Sequence, residues 1–253
     1  MEWLINGILL AASVLAFALL IRLFRFVVGY RPLDKQLRAP RAAALAGVLF
    51  AVLLIASQLL VWLSLPANVG AAASGVIHQS KAISVALSLR PFAGIAFLWF
   101  IAVVRNRVGH LEDRFFATVF LGSGLLYIAM VFTSAALAGG AIRILGDTPE
   151  ILEIGSYALV RAQIDQTMNV FGIKMAGVFM ISTSTILLRT GIVPRWIAFL
   201  GYALATMILL TIGIVLWIPL VFPGWVFLVS AAILFESPVT LAEPKDMVSK
   251  AAD

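Results

Sequence analysis

The sequence lacks cysteine altogether, and charged side chains make up only 12% of its 253 residues. Without cysteine the chain forms no disulfide, no thiolate metal site, no thiolate nucleophile and no cysteine-linked lipid anchor. An ordinary soluble domain carries about 25% charged residues and about 45–50% apolar ones, whereas 62% of this chain is hydrophobic. A soluble fold of this size cannot bury so much apolar surface, so the composition predicts an integral membrane protein.

Long apolar runs recur along the chain, and about 20 such residues are needed to cross the ~30 Å hydrocarbon core of a bilayer as a helix. Residues 1–236 therefore predict an all-α, polytopic membrane helix bundle with seven transmembrane helices, and residues 237–253 a polar cytoplasmic tail. A helix on the outer surface is predicted at about 148–162, because Asp147 can cap it and Pro149 falls in its first turn. The seventh span is short enough to be a re-entrant hairpin instead. The predicted spans cover residues 3–22, 42–65, 88–105, 115–138, 167–188, 196–217 and 221–236.

Lysine and arginine are distributed unequally between the two sides of this predicted bundle. Of the 18 basic residues, thirteen fall in segments 22–41, 105–114 and 189–195 or in the tail. Because cytoplasmic loops carry an excess of lysine and arginine, the N-terminus is predicted to lie outside and the C-terminus in the cytoplasm. Loops that face anionic lipid also explain the net charge of +6, so no nucleic-acid partner is predicted.

Side chains that commonly carry chemistry inside membranes are scarce. His78 falls in a predicted outer loop and His110 in a predicted inner loop, so the two cannot ligate one haem iron or one metal ion. No predicted span has an aspartate or glutamate in its interior, which disfavours a proton relay. No nucleophile–base pair or metal-binding set is visible either. The sequence therefore predicts no catalytic residue, no metal and no cofactor.

Two basic residues, Arg90 and Lys174, lie inside predicted spans. Each is 15 residues from an arginine at the inner end of its own span, which places it about 22 Å from that end. Gln58 and Tyr127 reach a similar height by the same count. Polar and basic groups are thus predicted to share one layer in the outer half of the bilayer.

This layer has two interpretations. In the first, Lys174 extends to the outer interface and its amine reaches water. In the second, Lys174 and Arg90 line one outward-opening cavity with Gln58 and Tyr127, and there they bind an anionic group such as the head of a lipid or another amphiphile. Asp165, nine residues before Lys174, is the nearest competing anion within the chain.

Four segments resemble a family of uncharacterised bacterial integral membrane proteins, and the similarity covers roughly residues 42–236. The resemblance implies a bacterial cytoplasmic (inner) membrane location and no mechanism, and the first span is an addition to the shared region. The segments read RPFAGIAFLWFIAVV, LEDRFFATVFLGSGLL, VFMISTSTILLRTGIVPRW and LVFPGWVFLVSAAIL.

The leading functional prediction is a non-enzymatic integral membrane protein. It is either an accessory subunit of a larger membrane complex or a binder of an anionic amphiphile or lipid, held in a basic cavity by Lys174, Arg90, Gln58 and Tyr127. A transporter of small molecules or anions is one alternative, and an intramembrane enzyme is another. Membrane lipids and a larger membrane protein complex are the predicted partners.

Overall fold

The computed structural model describes residues 22, 35–64, 72–108, 114–147, 154–191, 193–211 and 217–235. These residues are helical apart from short turns, and no strand occurs among them, which confirms the predicted all-α class. A π-helical segment, Gln166–Gly172, lies between two of the α-helices. The α-helices are α1 Lys35–Ser64, α2 Ala72–Val108, α3 Arg114–Asp147, α4 Ile154–Asp165, α5 Ile173–Thr190, α6 Arg195–Leu210 and α7 Ile218–Phe235.

Five stretches of these helices are long and apolar enough to cross a membrane, as in a multi-pass membrane protein. A bilayer core offers no water to exposed backbone groups, so a spanning segment must satisfy them within its own helix. Large apolar side chains also cover the outer faces of the bundle, among them Phe199, Leu210 and Phe235. The five stretches are Ala44–Val61, Ala82–Arg105, Phe115–Arg143, Leu159–Thr190 and Ile218–Phe235.

The structure supports five of the seven predicted spans. The predicted first span, 3–22, and the predicted tail, 237–253, lie outside the described residues but for Arg22. The predicted sixth span, 196–217, is not among the five: α6 has 16 residues and ends at Leu210, where Thr211 turns to an extended backbone, and residues 212–216 lie outside the described residues. At 1.5 Å per residue α6 is about 24 Å long, which is shorter than the hydrocarbon core.

The fifth predicted span also begins differently. The predicted surface helix, 148–162, and the predicted span, 167–188, are not separated by a loop, because the backbone is helical from Ile154 to Thr190. The π-helical segment lies between them and packs against α3, as α4 does. Such π-helical turns widen the helix and change the direction in which later side chains point, and they are frequent at functional sites.

One aromatic ring from each of five helices meets at the centre of the bundle. Phe50, Phe97, Tyr127, Phe179 and Phe222 come from α1, α2, α3, α5 and α7, and all are almost fully buried. Ring centroids lie 4.5 Å apart for Phe50 and Phe97, and 4.6 Å apart for Tyr127 and Phe222. Tilted and edge-on contacts of this kind are favourable beyond the apolar area they bury, so the cluster holds the five helices in one arrangement.

Helix α6 packs closely against α5 and α7 at Gly201, which has no side chain. A methyl group at Gly201 would overlap the Ser184 hydroxyl and come within 2.8 Å of the Trp225 ring. Small residues allow helices to approach this closely in membranes. Gly201 is therefore one point of close contact between α6 and the bundle; Gly177 on α5, next to Leu209, is another.

The turn between α5 and α6 identifies one end of the bundle. Helix α5 ends at Gly191, whose φ of 63° permits a left-handed cap, and its N–H donates to the Leu187 carbonyl at 3.0 Å. Near this end the Arg189 guanidinium lies 5.0 Å from the centroid of the Phe116 ring on α3. The start of α3 and the end of α5 therefore lie at the same end of the bundle.

Candidate functional site

Arg90 is a buried charge between three helices. It lies on α2, which packs against both α1 and α3, and only 7% of its surface is exposed. Its Nε donates to Ser57 Oγ on α1 at 3.2 Å, and its Nη1 donates to Ser134 Oγ on α3 at 3.2 Å. Its Nη2 donates to Gln58 Oε1 at 3.5 Å. Arg90 thus joins α1 and α3 through α2.

Both serine hydroxyls are oriented by a second hydrogen bond. Ser57 Oγ donates to the Ala86 carbonyl at 2.7 Å, and Ser134 Oγ donates to the Val131 carbonyl at 3.0 Å. A hydroxyl has one proton and two acceptor lone pairs, so each serine offers Arg90 an acceptor only. The arginine side chain is consequently held in place by neutral groups that cannot offset its charge.

The guanidinium retains unused donors. It carries five N–H groups and three are used here, so one on Nη1 and one on Nη2 remain among the described contacts. Asp165 interacts with Arg161 on its own helix, and Arg90 has no carboxylate neighbour among the described residues. Two neighbouring N–H groups of one guanidinium are the arrangement that binds a carboxylate or phosphate with two parallel bonds.

Tyr127 adds another unused donor. Its hydroxyl is buried and has no hydrogen-bond partner among the described residues, although its ring packs into the aromatic cluster. The hydroxyl lies within electrostatic range of the Arg90 guanidinium. An unpartnered buried hydroxyl costs about 1–3 kcal/mol.

Lys174 has a different environment. Its Nζ donates to the carbonyl oxygens of Ile208 at 3.0 Å, Leu209 at 2.6 Å and Thr211 at 2.8 Å, all at the C-terminal end of α6. An ammonium has three N–H donors, so all three are used. No described contact joins Lys174 to Arg90.

Lys174 and Ser134, to which Arg90 donates, also lie at different depths in the bundle. A Cβ on Gly172 would lie 3.3 Å from the Cβ of Met130, so these two residues are level. Ser134, which Arg90 binds, lies four residues beyond Met130 toward the end of α3, whereas Lys174 lies two residues from Gly172 in the opposite direction along the bundle. At 1.5 Å per residue the offset is about 9 Å.

Of the three other predicted site residues, the structure brings only Gln58 into contact with Arg90 among the described contacts. Tyr127 lies seven residues before Ser134 on α3, about 10 Å along the helix. Lys174 contacts the end of α6 instead, and its predicted role in ligand binding stays a prediction. Sequence reasoning missed Ser57 and Ser134. A serine in an apolar helix usually donates to a carbonyl of its own helix. The sequence does not distinguish such a serine from one that also contacts a side chain on a neighbouring helix.

No group of three or more His, Asp or Glu side chains that could hold a metal ion occurs among the described residues. Comparison with protein-family models, with curated proteins and with solved structures found no match to this chain. The resemblance to a bacterial membrane protein family stays a prediction, and a function has to be argued from the geometry around Arg90.

Proposed function

We propose that the chain is a non-enzymatic protein of the bacterial cytoplasmic membrane with seven spans, and that it binds the anionic head of a lipid or other amphiphile at Arg90. The five described spans, α6 and the apolar run 3–22 make up the seven. Helix α6 is short, but a bilayer thins locally around a short span at modest cost. The N-terminus lies outside and the C-terminus in the cytoplasm.

The contact between Arg189 and Phe116 supports this orientation. The described start of α3 and the described end of α5 lie at the same end of the bundle, both are close in sequence to several arginines, and an excess of arginine is typical of a cytoplasmic face. Reporter fusions test the orientation: one in the C-terminal tail should report the cytoplasm, and one within 143–161 should report the outside. The reverse result would overturn it.

The observation that carries the proposal is a buried guanidinium with neutral partners and with two N–H groups that find no acceptor in the described part of the chain. Burying a charge in a membrane protein without a counter-charge costs several kcal/mol, and such residues commonly mark ligand or ion sites. An oxoanion placed between Nη1 and Nη2 would supply the missing charge and accept both spare protons. Serine and glutamine supply acceptors but no charge, so they only position the side chain.

An amphiphile is favoured over a free ion by the surroundings. Close to Arg90, the exposed faces of α1 and α3 carry apolar side chains such as Leu59 and Phe132, which lie where lipid tails would pack. Gln58 is only partly buried and lies beside Arg90, so the head of a lipid can approach past it. Ligand sites generally combine an apolar lining with a few polar anchors.

Lipid binding to purified variants tests the proposal. Native mass spectrometry should show anionic phospholipid on the wild type, at least about tenfold weaker binding to Arg90→Met, and intermediate binding to Arg90→Lys. Arg143→Met is the matched control, because Arg143 is exposed on α3, and it should bind like the wild type.

Ser57 and Ser134 keep their bonds to backbone carbonyls when Arg90 is replaced, so the bundle of the Arg90→Met variant should still fold. A zwitterionic phospholipid and inorganic phosphate serve as separate arms of the experiment. Tighter binding of inorganic phosphate than of anionic lipid would replace the amphiphile by a free anion. Equal lipid binding by the wild type and Arg90→Met would refute the site.

A second candidate function is anion transport through the same residue, Arg90, because basic side chains buried in membrane proteins also mark the paths of transported ions. Reconstituted vesicles distinguish the two functions. A carrier moves an anion across the bilayer in a manner that depends on Arg90, whereas a binding protein moves none.

A further inference from the structure

Lys174 closes the open end of a helix. The last four carbonyl groups of an α-helix have no N–H partner within it. At the end of α6 the backbone N–H and the hydroxyl of Thr211 both donate to the Met207 carbonyl, at 3.0 and 2.7 Å. The next two carbonyls, of Ile208 and Leu209, accept from Lys174, as does the carbonyl of Thr211. One ammonium thus satisfies two of the last four carbonyls of α6, together with the carbonyl of Thr211 just beyond them.

The geometry around this ammonium is that of a bound cation. Three backbone oxygens converge on the Lys174 Nζ at 2.6 to 3.0 Å, and the C-terminal end of a helix adds about half a negative charge. Backbone carbonyls at the ends of interrupted membrane helices coordinate dissolved monovalent cations in transporters. Here the cation is attached to the neighbouring helix, α5, by its own side chain.

We propose that the carbonyls of Ile208, Leu209 and Thr211 form a monovalent-cation site, the α6 carbonyl cage, in which Lys174 is the resident cation. When the ammonium is removed, the cage binds a dissolved monovalent cation in its place. The wild-type protein therefore keeps the end of α6 closed without any ion from solution. The inference concerns α6 alone and does not depend on ligand binding at Arg90.

The three carbonyl oxygens of the cage favour a monovalent cation over a divalent one. All three oxygens are neutral carbonyls, and no carboxylate among the described residues contacts Lys174, whereas Ca²⁺ and Mg²⁺ sites rely on carboxylates and several waters. The separations match N–H···O bonds. Ammonium and small alkylammonium ions should therefore fit the cage best, and alkali-metal ions should follow.

Thermal unfolding of the full-length protein in detergent tests the cage, with the six tryptophans as the fluorescent probe. Wild-type protein should show the same Tm in choline, ammonium, methylammonium, sodium and potassium chloride at equal ionic strength. Lys174→Ala should lose at least about 5 °C in choline chloride. It should regain part of this loss in ammonium or alkali-metal salt, because the truncated side chain leaves room for the ion.

Two further variants make the test specific. Lys174→Met keeps the length of the side chain but fills the approach to the cage, so it should lose stability without recovery in any salt. Lys174→Gln keeps two N–H donors without charge, and its Tm in choline should lie between those of the wild type and Lys174→Ala. The same Tm for Lys174→Ala in choline and in every other salt would overturn the proposal, as would a wild-type Tm for Lys174→Gln. A Tm of Lys174→Ala that is no higher in ammonium chloride than in choline chloride would also overturn it.

Discussion

The Nζ atom of Lys174 lies 2.8 Å from the carbonyl oxygen of Thr211, which is 37 positions further along the chain. Arg90 instead lies against Ser57 and Ser134 on two other helices. The two cations that were predicted to share one ligand therefore have separate sets of partners. Lys174 uses all three of its N–H groups, whereas two N–H groups of Arg90 have no acceptor among the residues described. We therefore propose helix closure for Lys174 and anion binding for Arg90.

Replacing Lys174 by Met should separate these two roles. The change leaves three buried carbonyls without a donor and should lower the free energy of unfolding by about 2–4 kcal/mol. Anionic lipid should still bind as it does to the wild type, because Arg90 is untouched. Thermal unfolding and native mass spectrometry on the same preparation measure both quantities. A loss of lipid equal to that of Arg90→Met would show that the two cations share one ligand.

Ser57 and Arg90 should be energetically coupled. A double-mutant cycle of Ser57→Ala and Arg90→Met should give an interaction energy of about 0.5–3 kcal/mol, because each residue loses its partner in either single variant. Ser88 provides the control, since its hydroxyl donates only to the Val85 carbonyl of its own helix at 2.7 Å. A cycle of Ser88→Ala with Arg90→Met should be additive. Additivity in the Ser57 cycle would contradict the observed hydrogen bond.

Removing the Tyr127 hydroxyl should stabilise the protein. Tyr127→Phe should raise the free energy of unfolding by about 1 kcal/mol, because a buried hydroxyl that has no partner among the described residues disappears. Tyr202→Phe is the comparison: the Tyr202 hydroxyl lies 2.6 Å from Thr185 Oγ1, so that variant should be destabilised. Destabilisation of both variants to the same extent would mean that Tyr127 has a protein partner.

A methyl group at Gly201 should push α6 away from the bundle. Gly201→Ala brings its Cβ onto the Ser184 hydroxyl and within 2.8 Å of Trp225, and overpacking of this kind costs about 1–3 kcal/mol. Gly122→Ala is the matched control, since nothing lies within 4 Å of the added methyl group. The control should be neutral or slightly stabilising, as alanine favours a helix over glycine. Equal unfolding temperatures for the two variants would contradict the packing of α6.

Counting residues along the predicted helices identified one contact of Arg90 but not all the residues around it. Counting from the inner arginines placed Gln58 near the height of Arg90, and the two are hydrogen bonded in the structure. The count cannot tell which way a side chain faces around its helix. In spans that are apolar on every side there is no polar stripe to show this. The π-helical segment before Lys174 also changes the direction in which later side chains point. Residue spacing in the sequence does not predict this change.

The position at which α6 ends could not be predicted from the local sequence. The sequence stays apolar through Thr211 and the residues that follow it, so the predicted span continued to 217. In the structure the helix ends where Lys174 reaches across from α5, more than 30 positions earlier in the chain. A helix end of this kind depends on a tertiary contact, and the local sequence contains no signal for it.

A density map of the purified protein in bilayer discs that contain anionic phospholipid tests the central claim most directly. We expect density for an oxoanion within hydrogen-bond distance of Arg90 Nη1 and Nη2 in the wild type, continuous with acyl-chain density along α1 or α3. The same position should be empty in Arg90→Met. The claim would be contradicted by a wild-type map in which a protein group accepts both spare N–H bonds and leaves no room for a headgroup.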